Sequence, residues 1–259
     1  MKRILLYASA GTLAFLVFIV AFAPARLLYA TVETELDKII PEIQLVSMSK
    51  TVWHGDALLR YRGFPDSALN WNLAAVPLIT ARVSADINLT GDGHELFTHL
   101  DLTGAESLIQ DLQGTIKSNY VNQESENLGL TFTGDLELQD IDISADRRWL
   151  TSIRGNLHWT GGKVHYKPRI SAGGQGNSPG QIFELPALDG ALSLDGQILV
   201  LDVVYQGANL VLIRLKPDGW AEISVKARLF DLAGVPWPAG SSLDDTVLQL
   251  EEQLFRGRG

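Results

Sequence analysis

The side chains best suited to chemistry in this sequence are its five histidines, His54, His94, His99, His158 and His165. Proteins hold zinc with histidine, cysteine and carboxylate groups, and two histidine ligands on one helix face are usually four residues apart. His94 and His99 are separated by a different interval, and the chain contains no cysteine. The spacing of the histidines therefore predicts no metal site.

A second candidate for chemistry is the carboxylate pair Asp140 and Asp142, which falls on one face of a predicted strand. Paired carboxylates can act as acid and base, but alternate aspartates on a strand are also typical of a solvated face. The sequence has no cysteine nucleophile and no Gly-x-Ser-x-Gly elbow. We therefore predict no catalytic residue, no metal and no cofactor, and a protein that is not an enzyme.

The most distinctive motif combines tryptophan with glycine. Trp53-His54-Gly55 is followed later by His158-Trp159-Thr160-Gly161-Gly162, with the order of tryptophan and histidine reversed. Glycine beside a strand tryptophan indicates a turn, a bulge or a close backbone approach. A repeated binding site is the alternative interpretation. We interpret the motif as architecture, with these signature residues: Trp53, Gly55, Trp71, Trp159, Gly161 and Gly162.

The composition is globular and acidic, with 46% hydrophobic residues and a formal net charge of −9. Binding to nucleic acid needs a basic surface, which this balance does not supply.

Residues 4–23 carry no charge and follow Lys2 and Arg3. About twenty apolar residues span a bilayer, and basic residues before them favour a cytoplasmic N-terminus. A cleaved signal peptide is the alternative; we predict that 1–30 is a cytoplasmic start and a transmembrane anchor.

The pattern of apolar residues then changes twice. Val32, Leu36, Ile39 and Ile40 have helical spacing, which predicts a short amphipathic helix or linker over 31–42. From residue 43 onward, strand-like alternation dominates, with hairpin signals at Asp195-Gly196 and Asp218-Gly219. We predict one β-rich domain over 43–259, composed of two similar halves that a Gly-rich loop divides near residues 171–180.

A Gly-x-Leu-x-Leu unit opens several of the predicted strands, at Gly134, Gly155 and Gly190. Alternation of this kind predicts an antiparallel meander with one dry and one wet face. The tail over 241–255 has capping serines, acids in its first turn and apolar residues at helical spacing, which predicts a short C-terminal helix.

Two runs, 198–201 and 210–213, are apolar at every position. Such strands are covered on both faces by a helix, by a second sheet or by a bound apolar ligand. They provide the residues that we predict would line a groove: Ile198, Leu199, Val200, Leu201, Leu210, Val211, Leu212 and Ile213.

The order of these features resembles a known family. A basic start and an anchor precede Thr-Val-Trp-His-Gly-Asp-Ala at 51–57 and Leu-Asn-Trp-Asn-Leu at 69–73, and the meander contains Gly-Asn-Leu-His-Trp-Thr-Gly-Gly-Lys-Val at 155–164. This layout resembles protein N of the bacterial type II secretion system, a family that is distantly similar to AsmA-like proteins. The resemblance implies an accessory subunit in the cell inner membrane of a Gram-negative bacterium, with a periplasmic domain, in a machine that exports folded proteins across the outer membrane.

The sequence and the resemblance together predict a mainly β protein: one N-terminal transmembrane helix, then a curved, largely antiparallel β-meander, then a short C-terminal helix. The predicted function is that of a non-enzymatic accessory subunit, whose partners are other secretion-system subunits in the inner membrane and periplasm. The alternative is an AsmA-like periplasmic module that binds or transfers lipid in an apolar groove, with lipid as its partner.

Overall fold

The computed structural model describes residues 12, 15, 18–30, 32–34, 42–78, 80–126, 129–167 and 180–253. These residues form sixteen strands, and the described strand pairings are antiparallel. The prediction of a mainly β, largely antiparallel fold is therefore confirmed, whereas the curvature of the sheet stays a prediction. The chain forms two compact units, 1–92 and 93–259. The division predicted near 171–180 lies almost wholly outside the described residues.

Much of the predicted membrane anchor, residues 4–23, also lies outside the described residues. Within it, residues 12, 15 and 18–21 are helical. Of the helices in the described parts of the chain, none combines the length and the hydrophobicity that crossing a bilayer requires. In the predicted linker over 31–42, residues 32–34 are helical and 35–41 are not described.

The first unit contains four strands, β1 Ile43–Lys50, β2 His54–Tyr61, β3 Ser67–Leu73 and β4 Val83–Gly91, which pair in this order. Its core is Ala25, Leu45, Met48 and Ala57, so a short 3₁₀ helix packs against the strands. The Tyr29 hydroxyl donates a hydrogen bond to the Leu45 carbonyl oxygen at 2.6 Å, which ties the chain after this helix to β1. The 3₁₀ helix spans Ala25–Leu28, and a second short helix, α1 Ala75–Leu78, lies between β3 and β4 in the chain.

The second unit contains nine strands that pair side by side, which we call the large sheet, and a three-stranded sheet, which we call the small sheet. Two short helices, α2 Ser118–Ser125 and α3 Ala227–Leu232, accompany them. In spatial order the large sheet comprises β5 His94–Leu102, β6 Ser107–Ile116, β8 Leu136–Ala145, β9 Leu150–Trp159, β12 Leu188–Asp195, β13 Ile198–Tyr205, β14 Ala208–Leu215, β15 Trp220–Lys226 and β16 Thr246–Gln253. The small sheet comprises β11 Gln181–Leu185, β10 Gly162–Tyr166 and β7 Leu130–Phe132.

The register of the large sheet separates apolar from polar side chains. Val211 pairs with Val225, which pairs with Leu248, so apolar residues form rows across the last strands. On the opposite face, one row is charged: Arg214 pairs with Glu222, and Glu222 with Glu251. Because side chains alternate along a strand, the sheet has one apolar face and one polar face, as the sequence predicted. The hairpins at Asp195-Gly196 and Asp218-Gly219 are confirmed as the β12–β13 and β14–β15 turns.

Three neighbouring chain segments pass between the two sheets. β7 leads into β8, β9 leads into β10 and β11 leads into β12, each through only two or three residues. These connections, 133–135, 160–161 and 186–187, form what we call the corner. Residues of both sheets line one cavity, so the sheets form two layers, and the three short connections place their junction at the corner.

Bulges interrupt the regular pairing in the middle of the large sheet. Asp111 on β6 and Asp140 on β8 have positive φ angles of 50° and 48°, and the register shifts beside each of them. Gly155 on the adjacent β9 has φ 142°, and a Cβ there would lie 2.6 Å from the Ile141 Cα atom. Gly155 lies inside β9 and permits a close backbone approach. Gly190 likewise lies inside β12, so the prediction that these two glycines open strands was wrong.

The predicted C-terminal helix was also wrong, because the tail forms strand β16. Leu250, one of the side chains at helical spacing, pairs with Ile223, and Leu248 pairs with Val225, so both leucines continue the apolar rows of the large sheet. The Asp245 carboxylate accepts a hydrogen bond from the Ser242 N–H at 2.7 Å and closes a turn instead of capping a helix. Short helices are marginal on their own, so pairing with β15 decides the conformation.

One carboxylate stabilises the bulge at Asp111 and should make folding pH-dependent. Asp142 Oδ1 accepts the Asp111 N–H at 3.0 Å and Asp142 Oδ2 accepts the Arg154 Nε–H at 2.8 Å. The hydrogen bond from the Asp111 backbone, followed by that from Arg154, lowers the pKa of Asp142. Because the pKa of Asp142 is lower in the folded state, its ionised carboxylate stabilises the fold at pH values above the pKa of an unfolded aspartate, about 3.9. This stabilisation is lost as the pH falls below that pKa.

We therefore expect Asp142→Asn to be less stable than the wild type at neutral pH and to approach it in stability as the pH falls below about 4. Urea unfolding of both proteins over a pH series measures the difference. A stability difference that does not change with pH would show that the Asp142 charge plays no part.

Candidate functional site

The second unit contains an apolar cavity of about 600 Å³ between its two sheets. The apolar face of the large sheet forms the floor, and the small sheet forms the roof. The floor residues are Leu136, Trp159, Leu188, Val203, Val211, Ile213, Ile223, Val225, Leu248 and Leu250.

The roof residues follow from the register of the small sheet. Val164 of β10 pairs with Phe132 on one side and Phe183 on the other, and all three face the cavity. The next inward position along β10, Tyr166, pairs with Leu130 and Gln181, which also line the cavity. Lys163 and His165 occupy the alternate positions of β10 and therefore face away from the cavity.

The two helices close the cavity at its sides. Val121 of α2 and Phe230 of α3 contribute apolar side chains. Asn122 fixes α2 to the roof, because its side-chain oxygen accepts the Phe132 N–H at 2.7 Å and its amide donates to the Phe132 oxygen at 2.8 Å. The Asn122 side chain thus pairs with backbone groups at the free edge of β7, so this short strand can form part of the roof.

The predicted groove residues divide according to the face of the sheet on which they lie. Val211 and Ile213 line the cavity. Val200 and Leu212 alternate with cavity-facing neighbours and lie on the opposite face, while Leu210 is fully buried at a register shift. The cavity is not lined by Ile198, Leu199 or Leu201. The two apolar runs lie in β13 and β14, and because they do not alternate, the sequence could not indicate which of their side chains face inward.

The roof was missed at the sequence level. Its strands are three to five residues long. Phe132 and Phe183 become neighbours of Val164 only through pairing between distant parts of the chain. A local signal was present in β10, where polar Lys163 and His165 alternate with inward-facing Val164 and Tyr166.

Trp159 connects the predicted signature with the cavity. It lies at the end of β9 beside the corner, and its ring forms part of the floor, with the Phe132 ring edge-on at 6.5 Å. The indole Nε1–H donates to the Thr133 oxygen at 3.1 Å. Gly161 and Gly162 follow with φ 82° and 138°, and a Cβ on Gly161 would lie 2.7 Å from the Ala187 backbone nitrogen. These glycines therefore allow β9 to pass from the large to the small sheet.

The other signature residues meet in the first unit. Trp53 lies in the turn between β1 and β2, and its Nε1–H donates to the Val20 oxygen at 2.8 Å. Gly55 pairs directly with Trp71, whose Nε1–H donates to the Val52 oxygen at 2.8 Å. The Trp71 ring lies over Gly55 so closely that any Cβ there would overlap it. The two tryptophan–glycine motifs share residue types but use glycine differently. Gly55 leaves space for the Trp71 ring, whereas Gly161 and Gly162 adopt positive φ angles.

The histidines lie in separate environments. His94 is buried, its ring lies 4.7 Å from that of Tyr120, and neither ring nitrogen has a hydrogen-bond partner among the described residues. Burial lowers the pKa of His94 below its ordinary value. His158 Nδ1 lies 2.7 Å from Asp189 Oδ1 on the polar face of the large sheet. Within the described residues, no group of three or more histidines and carboxylates has an arrangement that could hold a metal ion.

Comparison with known protein families gives a match to this chain. The sequence profile of a family described as "Type II secretion system (T2SS), protein N" matches residues 41–231. This match covers well over half of the 259 residues, from just before β1 to within α3. Neither the curated proteins nor the solved structures include a significant match to the chain.

The close packing of Gly55 beneath Trp71 predicts the effect of adding one methyl group. We expect Gly55→Ala to lower the free energy of unfolding by about 1–3 kcal/mol, because the new Cβ overlaps the indole ring. Gly63→Ala is the matched control, since a Cβ there would meet nothing within 4 Å. Chemical denaturation measures both variants.

Removing the ring should relieve this overlap, so Gly55→Ala should cost less in a Trp71→Ala background than in the wild type. If Gly55→Ala proved no more destabilising than Gly63→Ala, the proposed close contact would be wrong.

Proposed function

The chain belongs to the protein N family of the type II secretion system, and we propose that it is a non-enzymatic accessory subunit held in the inner membrane. The family match over residues 41–231 is the observation that carries this proposal. Proteins of this family are secretion components of the cell envelope. We further propose that residues 4–23 form the anchor, with the N-terminus cytoplasmic because Lys2 and Arg3 precede the apolar run, and that 43–259 is periplasmic.

Strand β16 is the surface that best fits an assembly contact. No strand among the described residues pairs with its outer edge. The strand has eight residues without proline, and its Leu248 and Leu250 side chains are 40% and 49% exposed. An outer strand of this kind can accept an extended segment of another chain through backbone hydrogen bonds. We propose that an extended segment of another secretion subunit pairs with β16.

Site-specific photo-crosslinking in cells tests this contact. A photoreactive amino acid in place of exposed Glu252, on β16, should capture a small set of secretion-system subunits. The same amino acid in place of Ser193, which is exposed on β12 in the middle of the large sheet, is the matched control and should capture few or none. Identical partners from the two positions, or no secretion subunit from Glu252, would contradict the proposed contact.

A lipid-binding module is the second candidate function, and the apolar cavity is the observation that favours it. A cavity with so few polar groups is stabilised by an apolar occupant, because its walls otherwise face water or empty space. The two candidates are compatible, since β16 would contact a partner through its backbone whereas the cavity is lined by side chains.

Lipid analysis of the purified full-length chain tests the second candidate. We expect gently purified protein to retain lipid in a fixed molar proportion, detected by mass spectrometry after organic extraction. An unrelated single-pass membrane protein, purified in the same detergent, is the control for loosely associated lipid. Equal lipid content in the two preparations would count against lipid binding.

A further inference from the structure

The cavity has an uneven distribution of polar groups, from which its occupant and the orientation of that occupant can be inferred. We propose that it holds a single hydrocarbon chain of an amphiphile, with the methyl end toward Trp159 at the corner and the polar end beside Tyr166 and Gln181. This inference rests on the second candidate function and specifies the ligand and its site.

The chemistry of the walls excludes most other occupants. The polar side chains among the lining residues belong to Ser118, Tyr166 and Gln181. A peptide segment would bring backbone N–H and C=O groups that find almost no partners there, and an unpaired buried polar group is costly. A hydrocarbon chain has no such groups. The Trp159 indole N–H is also not available to a ligand, because it already donates to the Thr133 oxygen.

The size of the cavity is that of a site for a small occupant. Its volume of about 600 Å³ lies in the range of roughly 300–1,000 Å³ that small-molecule sites have. Charged side chains of the large sheet, such as Arg214 and Glu222, lie on the opposite face and cannot neutralise a buried charge in the cavity. A charged head group must therefore remain outside.

The orientation follows from the positions of the lining residues along the roof. At the corner, Trp159 and Leu185 lie where the covalent connections hold the two layers together. At the far end of the small sheet, Tyr166 and Gln181 are cross-strand neighbours, and both are exposed. Their hydroxyl and amide groups lie where a chain would leave the cavity and meet water. Ser118 begins α2 near the corner, where a neutral hydroxyl is tolerated far better than a charge.

Photolabelling of the full-length chain in its own membrane, before any detergent is added, tests the inference. Two diazirine fatty acids are supplied to growing cells, one with the reactive group at the methyl end and one with it next to the carboxylate. After irradiation, mass spectrometry identifies the labelled peptides. The methyl-end probe should label the peptide that contains Trp159, and the carboxylate-end probe should label those that contain Tyr166 and Gln181. The mass of each adduct distinguishes a free fatty acid from a fatty acid incorporated into a phospholipid.

A matched pair of variants tests whether the label lies in the cavity. Val211→Trp places a large side chain in the cavity, whereas Leu212→Trp places the same side chain on the opposite face one residue later. We expect Val211→Trp to reduce cavity labelling about tenfold or more and Leu212→Trp to leave it unchanged. Thermal unfolding identifies a variant that fails to fold, and Ile213→Phe is then the smaller replacement.

The outcomes separate the inference from the function on which it rests. If lipid co-purifies but the labels lie outside the lining peptides, or persist undiminished in folded Val211→Trp, the cavity site is wrong while lipid binding stands. Reversed labelling by the two probes overturns the orientation. Absence of both co-purified lipid and label overturns the inference together with the second candidate function. Glu252 crosslinks that remain in Val211→Trp would show that the assembly contact is independent of the cavity.

Discussion

The two-layered form of the second unit depends on backbone conformations at the corner that favour glycine. Gly134, Gly161 and Gly162 have φ angles of 86°, 82° and 138°, which L side chains rarely adopt. They also lie so close together that a Cβ on Gly134 would overlap the Gly161 oxygen, and one on Gly162 would overlap the Thr133 hydroxyl. Only glycine satisfies both conditions, and the small sheet is placed over the large one because β7–β8 and β9–β10 turn at these residues.

The corner also explains why a cavity remains between the layers. Trp159 and Phe132 fill the space where the sheets are joined. Farther away, the floor consists mainly of medium-sized side chains such as Val211, Ile213 and Val225, opposite a roof only three strands wide. Alternation along the strands of the large sheet directs charged residues to the other face, so the space between the layers is apolar. The chemistry of the cavity thus follows from strand register and from connectivity at the corner.

The sequence predicted those features that depend on local pattern. Alternation predicted the antiparallel sheet, Asp-Gly pairs predicted two hairpins, and the apolar runs located β13 and β14. The tail was wrongly predicted as a helix because pairing of Leu248 and Leu250 with β15 is a long-range interaction that outweighs a weak helical preference. The same reasoning applies to the cavity: Val211 and Ile213 belong to an apolar run that is visible in the sequence, whereas Phe132 and Phe183 become neighbours only through the pairing of the short strands β7, β10 and β11.

Strand β16 links the two parts of the molecule to which we assign functions. Its inner edge bonds to β15, its side chains at Leu248 and Leu250 extend the cavity floor, and its outer edge has no partner strand among the described residues. Both leucines are substantially exposed, so the floor is least covered along this strand. A segment that paired with the outer edge would lie beside these leucines and reduce their contact with water. Because such pairing uses backbone groups and the floor uses side chains, a partner and a hydrocarbon ligand would occupy the strand without competing for the same atoms.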